Sequence, residues 1–380
     1  MRLLFISSLD FSRDGAAQKR HQLLIAGWTA SGGDGVLLNP QRAAAEARAE
    51  AVYALPASLR ALPLQLAVLL WLPFATLKHA RTTDGIFCFD RRPLSLLSAL
   101  VAARLARIPV FHELTEHPDE VAPPGLKGKV LLLSFRRVFL KRLAGVTVIS
   151  TALHRMVRDL APGIPTKILP AVAEFPDAVP PPAEALPGAP VTFAYAGSLV
   201  ERKDGILGLI RAFGMLPREH GARLVLFGYG STREKDAVLE LVRELGLEDR
   251  VALRDPVPQH ALGAHLSQAD ALVLCRPLSR QALYGFPTKL AEYLATGRPV
   301  IVTITSDIGR YLQHGRTAWL VPPDDVPAFA GAMAEAATDA DARARVGTAG
   351  FLSGRETFGA AHLGREFSTW ITHMLQRGKA

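Results

Sequence analysis

The sequence alternates along most of its length between short apolar stretches and longer stretches with helical periodicity. The apolar stretches lie at 2–7, 34–38, 84–89, 109–113 and 145–149 in the first half, and at 191–196, 222–227, 251–253, 270–274 and 299–303 in the second. Helical patterns of the first half lie near 16–30, 64–80, 93–107, 127–143 and 151–160. Strands that alternate with helices predict an α/β fold with parallel sheets covered on both faces.

Helices of the second half are marked by apolar stripes and by capping residues. One stripe consists of Ile206, Leu209, Ile210 and Phe213, and another of Val238, Leu241, Val242 and Leu245. Ser231 and Glu234, before the second stripe, have the spacing of a capping box, and Gly246 stands where a C-terminal glycine is expected. These signals predict a helix at 231–245.

The length of the chain predicts two domains. Its 380 residues exceed what one hydrophobic core usually organises, and a proline-rich stretch without periodicity separates the halves. We predict a first domain at 1–170, a linker at 171–190, a second domain at 191–355 and a C-terminal helix at 356–380 that packs back on the first domain. Because such sheets bind ligands beyond the carboxyl ends of their strands, we expect the site in a cleft between the domains.

Charge and cysteine content narrow the partners and the compartment. The net charge of +9 favours an anionic partner. We find no zinc-finger spacing, aromatic-rich binding motif or lysine tract, so phosphorylated small molecules and anionic membranes fit better than nucleic acid. Cys88 and Cys275 lie in apolar runs and fit no metal spacing, which predicts buried free thiols in a reducing cytoplasm.

Three segments bear on export and membrane attachment. The stretch MRLLFISSLD has too few apolar residues for a signal peptide and predicts a first strand. Residues 61–77 are uncharged, but Pro63 and Pro73 favour a buried or membrane-facing helix over a spanning one. Residues 126–142 contain six basic residues and no acidic one. That composition suits either attachment to anionic lipid or a core helix whose arginines reach solvent.

Two loops of the second half carry candidate phosphate contacts. In YAGSLVERKDG, Gly197 permits a sharp turn and Lys203 lies near a helix N-terminus. Exposed amides and an ammonium group suit a phosphate, although an ordinary loop with a solvated lysine explains the pattern equally well. In LFGYGSTRE, Gly228 and Gly230 allow a tight turn or close approach of a ligand, without the third glycine of a dinucleotide fingerprint.

The third loop is YGFPTKLAEYLATGRPVI, residues 284–301. Pro287 suits a first helical turn, which directs the amides of Thr288 and Lys289 towards an anion. Glu292, one turn further on, can accept two hydrogen bonds from a vicinal diol such as a ribose. The alternative is a surface ion pair between Glu292 and Lys289.

These three loops resemble the donor-binding domain of the GT-B glycosyltransferases, specifically glycosyltransferase family 4. That family has a G-R-L-x-x-x-K-G loop, a G-x-G loop and an E-x7-E motif followed by A-x-G-x-P-V-I. The counterparts here are GSLVERKDG, GYG and YGFPTKLAEYLATGRPVI. The resemblance covers about 190–355 closely and the first half loosely. It implies a GT-B fold, in which two doubly wound Rossmann-like domains face each other across a cleft.

The resemblance also implies roles for individual residues. Lys203 would contact the donor diphosphate, and Glu292 would bind the ribose. Ser198 stands where the family has an arginine, so that phosphate role is vacant or passes to Arg202. Tyr284 stands where the family has a glutamate that touches the donor sugar. The other donor-binding candidates are Gly15, Gly197, Gly228, Gly285, Phe286 and Thr288.

Candidate acceptor-side residues follow strands of the first half. Gly15 opens a helix and resembles the family's glycine loop, although a flexible loop explains it as well. The segment PVFHELTEHPDE contains His112, Glu113, Glu116 and His117. Polar residues at a strand end face the ligand in this architecture, so His112, Glu113 and His117 are the candidate catalytic residues. The family's histidine in this loop corresponds to Thr115, and a metal site is the alternative.

The resemblance implies a retaining, metal-independent glycosyltransferase that moves a sugar from a nucleotide-diphosphate donor to a glycan or lipid-linked glycan acceptor. It would need no cofactor and would work in the cytoplasm, either free or peripheral at the inner membrane face. The alternatives are a sugar-nucleotide epimerase on the same fold and a non-catalytic GT-B scaffold in a membrane-associated glycan assembly complex. A dehydrogenase is disfavoured, because no G-x-G-x-x-G follows a strand.

Overall fold

The computed structural model describes residues 1–11, 15–40, 49, 51–59, 64–181 and 189–377. The chain divides into two compact units, Met1–Pro170 with Ala360–Ala380, and Ala171–Gly359. The described residues of the predicted linker therefore fall in the second unit, which ends four residues beyond the predicted boundary at 355.

The described part of the first unit contains a seven-stranded parallel sheet. Its strands are β1 (Arg2–Ile6), β2 (Asp34–Leu38), β3 (Ala51–Tyr53), β4 (Gly85–Cys88), β5 (Val110–Leu114), β6 (Gly145–Val148) and β7 (Thr166–Ile168). They are ordered β3-β2-β1-β4-β5-β6-β7. Its helices up to the end of the sheet are α1 (Ala16–Ala30), α2 (Leu64–Ala80), α3 (Pro93–Ala106), α4 (Pro118–Val121), α5 (Leu126–Ser134) and α6 (Thr151–Leu160).

The described part of the second unit contains a six-stranded parallel sheet. Its strands are β8 (Thr192–Ser198), β9 (Arg223–Tyr229), β10 (Val251–Arg254), β11 (Ala271–Leu274), β12 (Val300–Thr303) and β13 (Trp319–Val321). They are ordered β10-β9-β8-β11-β12-β13. Its helices are α7 (Glu201–Asp204), α8 (Ile206–Gly214), α9 (Thr232–Glu244), α10 (Gln259–Leu266), α11 (Arg280–Tyr284), α12 (Thr288–Leu294), α13 (Ile308–Tyr311), α14 (Val326–Thr338) and α15 (Ala340–Phe358).

The last helix, α16 (Ala360–Arg377), belongs to the first unit. It crosses α1 closely, because a Cβ atom on Gly364 would come within 2.7 Å of the Cα atom of Gly27. Phe367 packs edge-on against Phe87 of β4, with ring centroids 4.9 Å apart. The final helix thus covers the sheet that the first 170 residues form.

Each sheet reverses its strand order beside the first strand of its unit, between β1 and β4 and between β8 and β11. Loops that leave two such neighbouring strands lead to opposite faces of the sheet, and a crevice opens between them at the carboxyl ends. In the second unit these loops are 199–200 after β8 and 275–279 after β11. Ligands of doubly wound sheets bind at this position.

The predicted helix at 127–143 is confirmed in part. After α5 the chain forms a π-helical turn at Phe135–Phe139 and a 3-10 turn at Leu140–Arg142. The wider turn buries both phenylalanines, and Arg136 pairs with Asp119 at 2.7 Å. Arg136, on this π-helical turn, therefore has a carboxylate partner.

The helix signals of the second half are confirmed except at one end. Ser231 and Glu234 form the predicted capping box, and Gly246 has a φ of +59°. The first apolar stripe is buried throughout. Leu245 is exposed, because α9 ends at Glu244 and the last residue of the second stripe lies beyond the helix.

Candidate functional site

The candidate donor residues of the second unit lie around the two loops at the strand-order reversal. Lys203 is on α7, directly after the first loop, and Arg276 is on the second loop. The Nε atom of Arg276 donates to the carbonyl oxygen of Lys203 at 3.4 Å. Gly205, with a φ of +64°, follows α7 and has no room for a side chain beside the carbonyl group of Cys275. The two loops are therefore in direct contact.

A buried ion pair between Asp204 and Lys289 lies at this edge of the sheet. The Nζ atom of Lys289 is 2.7 Å from Oδ2 of Asp204 and donates to the hydroxyl group of Tyr195 at 3.0 Å. The two charged side chains are 17% and 4% exposed. Burial lowers the pKa of Lys289 to about 8; Asp204 opposes this shift, whereas Lys203 and Arg276 add to it.

Gly197 makes room for this ion pair. Its φ of +149° lies outside the usual range of other residues, and a Cβ atom there would overlap the Nζ atom of Lys289. The cation next to Gly197 is therefore Lys289. The alternative surface ion pair of Lys289 with Glu292 is wrong, because Lys289 pairs with Asp204 instead.

The remaining residues of the first loop differ in their exposure. Ser198 is buried, and its Oγ atom accepts a hydrogen bond from the amide of Val200 at 3.3 Å. Arg202 is exposed, and Lys203 is half-buried. The ammonium group of Lys203 has no hydrogen bond or ion pair with any described residue. Lys203 is thus a half-buried cation at the strand-order reversal whose charge has no partner among the described residues.

Glu292 is half-buried on α12, and its Oε1 atom accepts a hydrogen bond from Nε2 of Gln259 at 2.7 Å. The next residue, Tyr293, ties the helix to β8. Its hydroxyl oxygen accepts from the amide of Ala196 at 2.7 Å and donates to the carbonyl oxygen of the same residue at 3.2 Å. Glu292 therefore has a fixed position relative to the strand that leads to Lys203.

The segment before α12 departs from the prediction at two residues. Pro287 precedes the helix as its N-cap residue and is not in the first turn. Phe286 is buried and packs against Tyr311 and Phe358, with ring centroids 5.8 and 5.5 Å away, so its side chain belongs to the core.

The four remaining donor candidates of the second unit differ in their exposure and contacts. Tyr284 and Thr288 are partly exposed, and Gly285 lies over the carbonyl group of Gln281. Gly228 makes room for the side chain of Leu199, which accounts for a glycine there without any ligand.

In the first unit, the candidates His112 and Glu113 are neighbours on β5 and point to opposite faces of the sheet. His112 is buried, and its Nδ1 atom lies 2.7 Å from the carbonyl oxygen of Cys88. Burial lowers the pKa of His112 to about 4, so the imidazole is neutral at pH 7. The structure therefore does not bring these two side chains to one point.

Glu113 forms a buried ion pair with Arg20 of α1, with Nε 3.0 Å from Oε1. Arg20 also donates to the carbonyl oxygens of Leu169 and Pro170, at 2.9 and 2.5 Å. Burial raises the pKa of Glu113, and Arg20 opposes this shift. Sequence reasoning missed Arg20; the available signal was its place one helical turn before Leu24, on the buried side of α1.

His21, also missed, lies on the other side of this carboxylate. Its Nε2 atom is 3.8 Å from Oε2 of Glu113, and its ring stacks on Phe89 at 4.0 Å. Burial lowers the pKa of His21 to about 3, and Arg20 adds to the shift. Arg20 and His21 thus hold Glu113 in place between a charged and a neutral partner.

His117 and Gly15 lie at helix starts. The Nδ1 atom of His117 accepts a hydrogen bond from the amide of Asp119 at 3.2 Å, which caps α4. Gly15 is the N-cap residue of α1. Across the residues that the structure describes, no group of three or more His, Cys, Asp or Glu side chains is arranged to hold a metal ion. Within the same residues, no helix is both long and apolar enough to cross a membrane.

Residues 190–339 match the family model of the glycosyl transferases group 1. Among curated relatives, the "Putative colanic acid biosynthesis glycosyltransferase WcaL" of Salmonella typhimurium is 30% identical over 151 residues, or 39% of this chain and 36% of the relative. The amylovoran biosynthesis glycosyltransferase AmsK of Erwinia amylovora is 28% identical over 143 residues, or 37% of this chain and 34% of the relative. The chain thus matches about a third of the length of these relatives.

Solved structures match over the whole chain. HepE of Anabaena, in complex with UDP and glucose, has a TM-score of 0.73 at 14% identity, covering 98% of this chain and 100% of HepE. Sucrose-phosphate synthase of Thermosynechococcus elongatus has a TM-score of 0.75 at 18% identity, covering 99% of each chain. The predicted GT-B fold and the resemblance to group 1 glycosyltransferases are confirmed.

Proposed function

We propose that this chain is a glycosyltransferase that takes a sugar from a nucleotide-diphosphate donor, bound by the second unit, and transfers it to a glycan acceptor. The observation that carries the proposal is the group of cations at the strand-order reversal of the second sheet, within the segment that matches glycosyl transferases group 1. Lys289 and Arg276 interact with the carboxylate of Asp204 there, and Lys203 lies close enough to act on Lys289. This group of cations suits a diphosphate.

Lys203 and Glu292 are the residues that we assign to the donor. The ammonium group of Lys203 is free to contact the diphosphate, and it would stabilise the negative charge that builds on this leaving group as the glycosidic bond breaks. Glu292 is half-buried and fixed to β8 through its neighbour Tyr293, which suits a carboxylate that accepts hydrogen bonds from ribose hydroxyl groups.

The chemistry of the donor site supports a reaction without a metal ion or cofactor. Lysine and arginine side chains can neutralise a diphosphate themselves. Retention of the anomeric configuration rests on the resemblance of the three loops to glycosyltransferase family 4. Nuclear magnetic resonance of the first product formed from a uridine-diphosphate sugar tests this, and an inverted anomer would contradict it.

The choice of donor and acceptor follows the relatives. HepE was solved with UDP and with UDP-glucose, so uridine diphosphate is the first nucleotide to test. WcaL and AmsK carry the names of colanic acid and amylovoran biosynthesis, so the acceptor that we propose is a glycan or lipid-linked glycan of polysaccharide biosynthesis in the cytoplasm.

The first unit also carries a surface that suits an anionic membrane. Exposed apolar side chains lie on α2, α3 and α5, among them Phe74, Leu105 and Leu126, which are 69%, 65% and 77% exposed. The helices α2 and α3 pack on each other, and α3 touches the π-helical turn that follows α5. No acidic residue occurs at 64–80, 93–106 or 126–142. We call these three segments the apolar-basic face and propose that it docks peripherally on the inner membrane.

Calorimetric titration with nucleotide diphosphates tests the donor assignment. We expect UDP to bind the wild-type protein, and Lys203→Ala and Glu292→Ala each to lower its affinity about 10- to 100-fold, because each removes charge-assisted hydrogen bonds. Arg345→Ala removes an exposed cation on α15 and is the matched control. If UDP, GDP, ADP and dTDP all fail to bind, the chain is better explained as a non-catalytic scaffold.

A further inference from the structure

Arg276 is a buried guanidinium with unused hydrogen-bonding capacity. It directly follows Cys275 at the end of β11, and it is 5% exposed. Its Nη1 atom is buried without a hydrogen-bond partner among the described residues, and its Nε atom makes one long bond to the carbonyl oxygen of Lys203. Burying such a donor without a partner costs free energy, so its presence points to a ligand.

The surroundings of Arg276 select for an anion. Asp204 is close enough to act electrostatically on the guanidinium, but its Oδ2 atom is bonded to Lys289. Lys203 and Arg276 in turn both act on Lys289. Lys289 and Arg276 therefore both interact with the carboxylate of Asp204, and Lys203 adds a third cation near Lys289, beside the carboxyl ends of β8 and β11.

The loop after β8 does not itself supply a buried guanidinium. Ser198, at the position where a phosphate-binding arginine was expected, is buried and caps the amide of Val200. Arg202 is exposed on the short helix α7. Arg276 comes from the neighbouring strand and reaches the carbonyl group of Lys203, so it lies beside this loop.

We propose that Arg276 binds the diphosphate of the nucleotide-sugar donor and takes the place of the arginine that Ser198 lacks. The planar guanidinium presents parallel N–H donors to two phosphate oxygens, whereas Lys203 acts as a point charge. This assignment rests on the proposed function, because it takes the nucleotide-diphosphate sugar as the ligand. With this assignment, the loops after β8 and β11 together form the donor site at the strand-order reversal.

Arg276→Met and Arg276→Lys test the assignment by calorimetric titration with UDP, uridine and inorganic pyrophosphate. Methionine has a similar volume to arginine but no charge. Lysine keeps the charge but lacks the parallel N–H donors of the guanidinium group. We expect Arg276→Met to weaken UDP and pyrophosphate about 10- to 100-fold, with Arg276→Lys in between and uridine unchanged. The melting temperature of Arg276→Met should be equal or higher, because a buried charge without a full partner is removed.

Three outcomes separate this proposal from the proposed function. If pyrophosphate binds and Arg276→Met loses it while no nucleotide diphosphate binds, the donor assignment fails and the anion site at Arg276 stands. If UDP and pyrophosphate bind the folded Arg276→Met variant as tightly as the wild type, the proposal is overturned. It is also overturned if Arg202→Ala, and not Arg276→Met, loses these ligands.

Discussion

Gly197 has no side chain, and this leaves room for the ammonium group of Lys289 at the carboxyl edge of the second sheet. A side chain there would overlap the ammonium group of Lys289, which bonds to Asp204 and Tyr195. If Lys289 is displaced, Asp204 keeps a buried charge without its partner. This backbone position therefore decides whether the ion pair can form.

We expect Gly197→Ala to lower the free energy of unfolding by about 3 kcal/mol, the cost of breaking a buried ion pair. UDP affinity should fall as well, since the displaced lysine rearranges the cations around it. Urea denaturation and calorimetric titration measure the two effects.

Gly315→Ala is the matched control, because Gly315 has a φ of +69° and an added Cβ atom would meet nothing within 4 Å. It should cost only the strain of a left-handed alanine, about 1 kcal/mol. Equal losses in the two variants would show that crowding of Lys289 does not matter.

At the scale of single residues, the sequence predicted hydrogen bonds between residues a few positions apart. It did not predict ion pairs between residues that are far apart in the chain. The capping box of Ser231 and Glu234 joins residues three positions apart, so the sequence contains its whole signal. Lys289 has an acidic residue three positions away, at Glu292, but its partner Asp204 is 85 positions away. Lys289 pairs with Asp204 because the folded sheet brings the chain after β8 beside α12. The local sequence pattern around Lys289 contains no information about this contact.

At the scale of elements, the central strands and the edge strand β10 were predictable, whereas the three-residue edge strands were not. The ten predicted strands are confirmed, because each is a short and mostly apolar stretch between helical patterns. The described strands that were missed, β3, β7 and β13, have three residues each and lie at sheet edges. Such short segments have no periodicity of their own and become strands only by pairing with a neighbour.

The helices of the first unit give a prediction at the same scale, since α2 buries one side and exposes another. Trp71 and Leu72 are buried, whereas Leu69, Leu70 and Phe74 are exposed. An apolar side towards solvent lowers solubility unless something covers it, and the basic residues of 126–142 favour anionic lipid.

We expect the wild-type protein to sediment with vesicles of phosphatidylglycerol and phosphatidylcholine, and less with pure phosphatidylcholine. The triple variant Phe74→Ser, Leu105→Ser, Leu126→Ser should lose most of this binding, because it removes three exposed apolar contacts from the apolar-basic face.

The matched control carries Leu239→Ser and Leu352→Ser, which remove exposed leucines from the second unit. It should bind vesicles like the wild type. Equal sedimentation of all three proteins would rule out the apolar-basic face as the attachment surface.

At the scale of the whole molecule, the second unit interrupts the first in the sequence. The first unit is completed only when α16 returns to it after residue 359. The sequence predicted that the last helix packs on the first domain. It did not predict the contact between Gly27 and Gly364, because a glycine that only makes room for a neighbouring helix has no local signal. Their close approach depends on two helices that are more than 300 residues apart.

We expect Gly364→Val to destabilise the first unit and to leave the second intact. The added side chain collides with the backbone of Gly27, and overpacking of this kind costs about 1–3 kcal/mol. Calorimetry should therefore show a lower first-unit transition, while UDP still raises the transition of the second unit by binding its native state.

Gly331→Ala is the control, because Gly331 lies within α14 of the second unit and an added Cβ atom meets nothing within 4 Å. Alanine there should raise the stability of the second unit by up to about 1 kcal/mol, through helix propensity. If Gly364→Val lowers both transitions and abolishes the UDP shift, the two units unfold as one, and donor binding depends on the packing of α16.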